Sequence, residues 1–491
     1  MRVNYRTNAT PQLRVLSNDQ IEQIVYAAMD VLQITGTRVY QDEALELLRG
    51  AGCVVQDDTL VFIPAWLVEN SLKTAPSRIV LAGRDREKRI TLEKNQIYYG
   101  TGSDCPFILD PTTGERRRYT FEDVYRAAKI ADALPHIDFH MSLGLTSDVP
   151  IGTYDRHQFL AMLKGTTKPF VITANDREGL ADQFEMACAT IGGRDEWRKL
   201  PMFVIYIEPS SPLNNSHEAV EKLLYAAEND IPAIYTPCPI CGATAPATMA
   251  GTLVQALAEF FTGLVISQLK RKGAAVIMGG VMSLLDMSTT ILSYGAPELS
   301  LLSAAMTQVA QYLNVPMFST AGCSDSKTLD QQAAIEAAIS IAISGLSGAN
   351  LIHDVGYLES GLSGSYDMLV MSNEIIGMVK RILRGVPVDA EHLAVDVIDR
   401  VGPGGHYLVE EHTLKHFRTE FWMPELLDRT NWDTWKENGS KALRQRVHEK
   451  VLDLIEHYEP EPIPADVESQ LRVIVARADE LHEGEEQVTL M

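Results

Sequence analysis

Aromatic and acidic side chains follow the short apolar runs of this sequence, at the points where each run ends. The aromatic members are Tyr98, Tyr99, Tyr206, Tyr235, Phe318 and Tyr357, and the acidic members are Asp104, Glu208 and Asp325. Aromatic faces attract cations. A quaternary ammonium ion needs such faces and a nearby carboxylate, because it has no N–H group to donate. A single tyrosine in such a place often only fills space, whereas the whole set indicates a ligand pocket.

His353 is the side chain for which the sequence predicts a catalytic role. It closes the apolar run at 349–353 and leads into a loop that contains glycine. A lone histidine is often a structural residue with satisfied hydrogen bonds, so both interpretations stay open for His353. Its position at a strand end favours the catalytic one.

These side chains need a scaffold that brings successive strand ends together. From residue 97 onward, short β-branched runs alternate with helix-period runs. The predicted strands are 97–99 (or 105–109), 137–145, 169–174, 201–208, 232–236, 274–280, 315–320 and 349–354. The predicted helices are 120–133, 155–164, 178–191, 216–229, 251–272, 297–313, 331–347 and 367–384. Eight such units indicate an α/β fold, the closed (β/α)8 TIM barrel, in which functional residues lie at the carboxyl ends of strands. An open doubly wound sheet is the alternative, but it does not need eight units.

Two segments flank the predicted barrel, which we assign to residues 96–385. In residues 1–95, an apolar helical pattern starts after 18–19 and stops at Gly36, and shorter patterns cover 42–50 and 64–73. We expect an N-terminal helical extension there. Residues 386–491 leave the alternating pattern and contain two helical stretches, at 441–457 and 466–482, which predicts a C-terminal helical cap.

The composition limits the classes of partner. The chain has 491 residues and a formal net charge of −22, which argues against nucleic acid and anionic membrane surfaces as ligands. No run of 18 apolar residues occurs, and the first 16 residues lack the apolar stretch of a signal peptide. The six cysteines are scattered, so we expect no disulfides. These observations favour a cytoplasmic protein with no membrane contact.

Neither a metal site nor a nucleotide site is predicted. Cys238 and Cys241 form a C-x-x-C pair, but zinc needs two more ligands and no second pair follows. The histidines at 406, 412 and 416 lie outside the eight units. We expect them in helix caps, subunit contacts or a lid over the barrel mouth. The glycines at 402, 404 and 405 lack the Lys-Ser/Thr of a phosphate loop.

Three blocks of sequence, spread over some 300 residues, resemble one family. The first contains Gly-Pro-Gly-Gly-His at 402–406, His-Thr-Leu-Lys-His-Phe-Arg at 412–418 and Pro-Glu-Leu-Leu-Asp-Arg at 424–429. The second contains 100–107 and 110–117, and the third runs from 297–300 through 321–327. Together they resemble the trimethylamine methyltransferase family, whose members move a methyl group from an amine to the cobalt of a corrinoid.

The resemblance implies a reaction and a partner. A separate corrinoid-binding protein would present cobalamin at the barrel mouth, so no cofactor is bound permanently. Gly279, Gly280 and Ser324 are then expected to face the corrinoid. We also expect a homo-oligomer.

The best-known branch of this family carries pyrrolysine in the barrel. The loop from Ser324 to Gln332 is where we would seek the equivalent position. This chain contains no non-standard residue, so it resembles the branch without pyrrolysine, which acts on quaternary amines. We rank glycine betaine first, with proline betaine and carnitine close behind. Arg156, Lys168 or backbone amides at helix starts are the expected receptors for a betaine carboxylate.

Other classes of function stay open at this point. A barrel lyase or hydrolase would use a strand-end carboxylate or His353. A betaine-binding protein without turnover, or a regulatory partner of a corrinoid protein, would need only the pocket. Formation of methylcobalamin from cob(I)alamin and a betaine distinguishes the methyltransferase from all of these.

Overall fold

The computed structural model describes residues 10–482, which begin with a small unit of helices and short strands. Its helices are α1 (Asn18–Asp30), α2 (Asp42–Gly50) and α3 (Ala65–Thr74), and its strands are β1 (Thr37–Val39), β2 (Val54–Gln56), β3 (Leu60–Phe62), β4 (Ile79–Ala82) and β5 (Arg89–Leu92). Helix α1 begins at a capping box in which Ser17 and Gln20 exchange side chain to backbone hydrogen bonds. Strands β2, β3 and β1 form an antiparallel sheet.

The centre of the molecule is a ring of parallel strands. The strands that follow the N-terminal unit are β6 (Tyr98–Thr101), β7 (Phe107–Leu109), β8 (Arg116–Arg118), β9 (Phe170–Ile172), β10 (Phe203–Ile207), β11 (Asn214–Asn215), β12 (Ala233–Tyr235), β13 (Ile240–Cys241), β14 (Val276–Met278), β15 (Ser283–Asp286), β16 (Ile291–Ser293), β17 (Phe318–Thr320), β18 (Leu351–Val355), β19 (Tyr357–Leu358) and β20 (Ser363–Gly364). Parallel pairing joins β9, β10, β12 and β14. It also joins β17, β18 and β6.

Single parallel bridges close this ring. Phe139 pairs with Gly100 of β6, the neighbouring His140 pairs with Phe170 of β9, and Met278 of β14 pairs with Met317. The segment at 139–140 is therefore the second of eight members. Every link is parallel, so the predicted closed barrel is confirmed and the open sheet is not observed.

A helix follows each of the eight strands, as the sequence predicts. The helices from 121 to 383 are α4 (Phe121–Ala133), α5 (Tyr154–Gly165), α6 (Arg177–Ile191), α7 (Arg194–Lys199), α8 (His217–Glu228), α9 (Met249–Lys270), α10 (Pro297–Leu313), α11 (Gln331–Ser347) and α12 (Tyr366–Leu383). Helix α9 is long and apolar enough to cross a membrane by length and composition, but 72% of its most apolar window is buried inside the molecule. It packs against α1, α3 and α8 and is a wall helix of the barrel.

The amino-terminal end of the barrel is plugged by the hairpin of β4 and β5. Ile79, Leu81, Ile90 and Leu92 of this hairpin are buried in one cluster with the inward-facing side chains of the strands. The strand members of that cluster are Phe139, Met141, Val171, Val204, Ile234, Ile277, Phe318 and Leu351. The barrel is thus closed at this end by apolar packing.

The opposite end carries the loops. Strands β13, β15 and β16 form one small sheet there, and β19, β20, β7 and β8 form another. The β15–β16 hairpin is held by Asp325, which accepts hydrogen bonds from the backbone N–H groups of Tyr294 (2.8 Å) and Gly295 (3.0 Å). We call the space that these loops surround, above the carboxyl ends of the strands, the barrel mouth.

The C-terminal segment lies along the side of the barrel. Its helices are α13 (Ala390–Leu393), α14 (Val395–Val401), α15 (Glu411–Glu420), α16 (Trp432–Glu437), α17 (Leu443–His457) and α18 (Ala465–Leu481). Helix α17 packs on α4 and α12, and α18 packs on α5 and α6. Residues 386–432, which connect the barrel to these two helices, are called the arm below.

Candidate functional site

The alternating side-chain directions along strand β10 position the first two side chains of the site. In an extended strand, successive side chains point to opposite faces. Val204 belongs to the interior cluster and Tyr206 packs against it, two residues further on. Glu208 continues the same face beyond the end of the strand. The sequence Val-Ile-Tyr-Ile-Glu therefore directs Tyr206 and Glu208 into the barrel mouth.

Three aromatic rings form the floor of the mouth. The ring of Phe318 stacks on the imidazole of His353, with centroids 4.1 Å apart and 18° between the planes. Tyr206 meets Phe318 edge to face at 5.7 Å and lies 6.3 Å from the His353 ring. Phe318 is fully buried, whereas Tyr206 is only half-buried. Tyr206 is thus the ring that faces the open space, and Phe318 supports it from below.

Glu208 is the carboxylate of the mouth that is open to solvent. Its Oε2 accepts a hydrogen bond from the Tyr206 hydroxyl at 3.0 Å, and the same hydroxyl lies 3.6 Å from Cys238 Sγ. The surrounding protein raises the pKa of Glu208, because partial burial disfavours the charged form more than these hydrogen bonds and His353 favour it. An unpaired carboxylate in such a place is stabilised by a bound cation.

Asp354 lies beside this floor in a strained conformation. Its φ angle is 74°, which a non-glycine residue rarely adopts. Its Oδ1 lies 2.6 Å from His353 Nδ1, but not in the alignment of a hydrogen bond. Among the described residues, neither Asp354 Oδ2 nor His353 Nδ1 has a hydrogen-bond partner. Strain and unsatisfied buried polar atoms together are typical of a functional site.

Asp104 supplies a third carboxylate from the loop after β6. It accepts a hydrogen bond from Gln158 Nε2 at 3.1 Å, and Thr173 Oγ1 lies at 3.5 Å. Burial raises its pKa. Within residues 10–482, none of Asp104, Glu208 and Asp354 forms an ion pair with a lysine or arginine. The mouth is therefore acidic, and the cation that acts on Asp104 is Lys222, whose Nζ donates to the Ala174 carbonyl at 2.6 Å instead of pairing with the carboxylate.

The other predicted mouth residues hold the loops in place. The Tyr357 hydroxyl donates to the backbone carbonyl of Ser103. A Cβ on Gly102 would lie only 2.3 Å from Tyr357 Cζ and 2.4 Å from Asp354 Oδ1, so the absent side chain lets both residues approach β6. Asp325, predicted to bind substrate, is instead occupied by the β15–β16 hairpin and by Ser360 Oγ at 2.7 Å.

Two tyrosines predicted for the site lie elsewhere because β6 extends further than expected. Tyr98 begins this strand, near the plugged end, where its hydroxyl accepts from Thr91 N at 3.1 Å. Tyr99 points outward, is fully buried, and donates to the carbonyl of Ile341 in α11 at 2.9 Å. The sequence suggested that the strand ends at these residues, whereas it continues to Thr101.

Tyr235 is also placed outside the mouth. Tyr235 ends β12 as predicted. Because successive side chains of a strand point to opposite faces, its ring points outward, against α9. A Cβ on Gly263 would lie 2.3 Å from that ring, and the Tyr235 hydroxyl donates to Asn215 Oδ1 at 2.5 Å. Only the inward side of a strand serves the mouth, so its end position alone was an insufficient criterion.

The residues expected to face a corrinoid are buried. Gly279 and Gly280 pack against Thr236 and Met306, and Ser324 donates to Glu336 Oε2 at 2.5 Å. None of the three is exposed to an approaching protein.

Both cationic side chains suggested as carboxylate receptors are bound elsewhere. Arg156 is fully buried and contacts Asp155 and Asp182. Lys168 Nζ donates to the carbonyls of Ala131 and Leu134, at 2.5 Å and 2.7 Å. Neither reaches the floor of the mouth.

Sequence reasoning missed two residues of the mouth. The sequence analysis considered Cys238 only as half of a C-x-x-C pair. In the structure, Cys238 continues the inward face of β12 through Ile234 and Thr236. The signal available in the sequence was therefore that every second residue from Ile234 onward points into the barrel. The Cys238 thiol is kept protonated, since burial and Glu208 raise its pKa. Tyr294 arrives from the β15–β16 hairpin, and no strand pattern could have indicated it. Burial raises its pKa too, with Asp354 and Cys238 the next contributors.

No metal centre accompanies these groups in the part of the chain that the structure describes. Between residues 10 and 482, no group of three or more His, Cys, Asp or Glu side chains is arranged to hold a metal ion. The two cysteines of the C-x-x-C pair diverge, because Cys241 Sγ lies 3.0 Å from Thr252 Oγ1 while Cys238 faces Tyr206.

Comparison with known proteins gives this site a family. The family model described as trimethylamine methyltransferase (MTTB) matches residues 1–481. The chain belongs to the trimethylamine methyltransferase family. It is thus a methyltransferase, and the resemblance of the three sequence blocks is confirmed.

Curated relatives match the chain over nearly its full length. A trimethylamine methyltransferase MttB of Desulfitobacterium hafniense (strain DSM 10664 / DCB-2) is 34% identical, over 94% of this chain and 94% of the relative. A glycine betaine methyltransferase of Desulfitobacterium hafniense (strain Y51) is 32% identical, over 95% and 97%. A trimethylamine methyltransferase MttB of Methanosarcina barkeri (strain Fusaro / DSM 804) is 33% identical, over 96% and 97%.

A solved structure supports the same fold. The monomethylamine methyltransferase MtmB of Methanosarcina barkeri superposes with a TM-score of 0.52, covering 92% of this chain and 89% of that protein. The sequence identity is only 11%, so the likeness concerns the fold alone.

Proposed function

We propose that the protein transfers an N-methyl group from a quaternary amine to Co(I) of a corrinoid carried by a separate protein. The observation that carries this proposal is the pairing of Tyr206 with Glu208 in an open mouth without a lysine or arginine partner. The face of Tyr206 attracts a cation, and Glu208 supplies the opposite charge. The relative named as a glycine betaine methyltransferase supports glycine betaine as the first substrate to test.

The reaction needs no proton transfer from the protein. The electron pair of Co(I) forms the bond to the methyl carbon, and the C–N bonding pair remains on nitrogen as a lone pair. The leaving tertiary amine is neutral, so a general acid has no role in this step. The task of the protein is to hold the cation with one methyl group directed out of the mouth and to exclude water.

A corrinoid fits this proposal as a methyl acceptor brought from outside. The plug of β4 and β5 closes one end of the barrel, so the acceptor approaches from the open side where Glu208 is exposed. The cytoplasmic location expected from the sequence forms part of the same proposal.

The substrate carboxylate is directed away from Glu208 in this arrangement, because like charges repel. Arg156 and Lys168 are bound elsewhere. We therefore assign its recognition to backbone N–H groups at the starts of the helices that follow the mouth loops. Of the receptors that the sequence suggested, these are the remaining class.

His353 enters the proposal as a positioning residue rather than a proton-transfer group. Its ring lies against Phe318, and its Nε2 is 3.0 Å from the Thr320 hydroxyl. The side chain is only 5% exposed. It fixes the aromatic floor on which Tyr206 rests.

The test is an assay of methyl transfer with matched amines. The purified protein is mixed with cob(I)alamin and glycine betaine, proline betaine, carnitine, dimethylglycine or trimethylamine, and methylcobalamin is followed by its visible spectrum. We expect a quaternary amine to react and its tertiary analogue not to. At neutral pH the tertiary amine carries an N–H and lacks one methyl group, whose loss from a fitted pocket costs about 1–3 kcal/mol. Equal turnover of dimethylglycine and every betaine would refute the proposal, and so would binding of a betaine without any transfer.

A further inference from the structure

A cavity of about 330 Å³ lies where the turn of the β7–β8 hairpin meets the first residues of α12 and α17. Its volume is within the range of pockets that hold small ligands. The residues of the aromatic floor do not line it, and neither do Asp104, Glu208 and Asp354. The cavity is therefore separate from the barrel mouth.

One wall of the cavity comes from a sequence block that the proposed reaction does not use. The turn at 110–114 belongs to the second block that resembles the family, and it lines the cavity. Asp110 stabilises this turn, because its Oδ1 accepts from the backbone N–H of Thr112 at 2.8 Å and its Oδ2 accepts from Arg117 Nε at 2.9 Å. The Asp110 carboxylate is thus already paired.

Helix α17 supplies a cationic wall. Arg444 and His448 both line the cavity, and their spacing of four residues places them on one face of the helix. Arg444 is exposed, and within residues 10–482 it forms no hydrogen bond or salt bridge. The Asp367 carboxylate senses its charge only at longer range. The Arg444 guanidinium group is therefore available to a ligand.

His448 is held in place by Asp367, which lies at the start of α12. The imidazole Nδ1 is 3.3 Å from each of the two carboxylate oxygens. The pKa of Asp367 is raised, because burial disfavours its charge more than His448 and Arg444 favour it. The other ring nitrogen, Nε2, has no hydrogen-bond partner among the described residues. Asp367 thus orients a ring whose second nitrogen can bind a ligand.

Residues with hydroxyl groups line the remaining walls. Thr112 lies in the β7–β8 turn and Thr328 in the loop before α11, and neither hydroxyl has a partner in the part of the chain that the structure describes. Ser365 Oγ accepts from the backbone N–H of Met368 at 3.2 Å, which leaves its own hydrogen to donate. Hydrogen-bond donors therefore surround the cavity on several sides.

We propose that this cavity binds a phosphate group, either as inorganic phosphate or as part of a phosphate monoester. A carboxylate is planar, and one guanidinium group can satisfy it, whereas phosphate oxygens point in several directions and need donors on several sides. Arg444 and the hydroxyl groups supply such donors. Between the Asp367 carboxylate and a phosphate, the His448 ring donates from both of its nitrogens. This inference does not rest on the proposed methyl transfer.

The experiment is a calorimetric titration of the full-length protein with inorganic phosphate at fixed pH and ionic strength. We expect one phosphate per chain, with a Kd of about 1 mM or lower. Arg444→Gln removes the charge at an exposed position and should weaken binding about tenfold or more. The matched control is Arg49→Gln, which removes an exposed arginine from α2, outside the cavity. The control should keep the affinity of the unaltered protein.

A second variant and two other anions complete the test. Thr112→Val removes one hydroxyl from the opposite wall and should weaken phosphate binding without changing the circular dichroism spectrum. Acetate should bind far more weakly than phosphate. Glycerol 3-phosphate distinguishes the two sources, since tighter binding than inorganic phosphate assigns the site to a monoester and weaker binding assigns it to the free ion.

Three results would overturn the proposal. The first is the absence of binding at about 10 mM phosphate. The second is acetate binding as tight as phosphate binding, which would indicate a general attraction for anions. The third is an equal loss of affinity in Arg444→Gln and Arg49→Gln, which would show that only the net charge of the chain matters.

Discussion

In the proposed reaction, Tyr206 and Glu208 act on the positive charge of the substrate, and this charge disappears during the reaction. A quaternary nitrogen is positive when bound and neutral once its methyl group has left. Contacts that attract the positive charge therefore stabilise the bound substrate more than the transition state. Changes at these two residues should alter substrate affinity more strongly than the rate at saturation.

The first prediction concerns the face of Tyr206. Tyr206→Leu removes cation–π attraction while keeping most of the side-chain volume. A desolvated contact of this kind is worth about 2 kcal/mol, so KM for the quaternary amine should rise about 30-fold. Tyr206→Phe keeps the ring and should retain most of the affinity. Tyr98→Leu, at the plugged end, is the control, and an equal loss there would contradict the assignment.

The second prediction concerns the proton on Glu208. The protein atoms around Glu208 partly desolvate the carboxylate and raise its pKa above the ordinary 4.5, so the side chain takes up a proton at a higher pH than a free glutamate does. The cation favours the ionised form. As pH falls, kcat/KM should therefore decline at a pH above 4.5, and kcat should decline only at a lower pH.

Glu208→Gln provides the matched comparison for this pH dependence. The variant keeps the shape but has no charge at any pH. Its KM should be on the order of tenfold higher or more at neutral pH, and this acidic decline of kcat/KM should be absent. An unchanged pH profile in the variant would show that a different group titrates.

For individual residues, the sequence predicted which types of side chain lie near strand ends better than it predicted the direction in which each side chain points. Glu208 and Tyr206 were identified correctly as strand-end residues that face the mouth. Tyr99 and Tyr235 have the same chemistry and nearly the same positions, but they point towards α11 and α9. A shift of one residue along a strand reverses the face, and the glycines of β6 concealed where that strand ends.

The hairpin of β4 and β5 is the element whose removal should affect stability without affecting chemistry. Leu81 is fully buried in the cluster that closes the barrel. Leu81→Ala should lower the free energy of unfolding by about 2–5 kcal/mol, because it leaves a cavity among side chains that cannot close around it. Denaturant unfolding measures this change. KM for the amine should stay the same.

Val54→Ala is the control for this prediction. Val54 lies on β2 and is exposed, so its truncation should change the free energy of unfolding by no more than about 0.5 kcal/mol. A similar loss of stability in both variants would show that the N-terminal unit responds to any truncation. A changed KM in Leu81→Ala alone would connect the plug to the site.

Among the elements, helices and barrel strands were predictable because their signals are local. Pro297 begins α10, and Asp330 caps α11 before a small-residue run that ends at Gly348. The β4–β5 hairpin was not predicted: its strands pair locally, Ile79 with Leu92 and Leu81 with Ile90, but the side chains that bury it come from barrel strands distant in sequence. The strand predicted at 137–145 is also present, but it is reduced to single parallel bridges at Phe139 and His140.

For the whole molecule, we predict that methyl transfer needs no resident metal. Elemental analysis of the purified protein should find far less than one zinc ion per chain. Treatment with a chelator should leave the transfer rate and the thermal unfolding unchanged. Stoichiometric zinc that resists dialysis would contradict this prediction, and the histidines of the arm would then be the first place to examine.

The closed amino-terminal end of the barrel has a kinetic consequence. In the proposed transfer, a mouth with a single entrance admits the amine only before the acceptor protein covers that entrance. It releases the demethylated amine only after the acceptor departs. The order of binding is thereby imposed by the plug of β4 and β5, far from the reacting atoms. Initial-rate measurements should show sequential kinetics with the amine binding first and its product leaving last. The demethylated amine should then compete directly with the substrate, whereas the methylated acceptor should not.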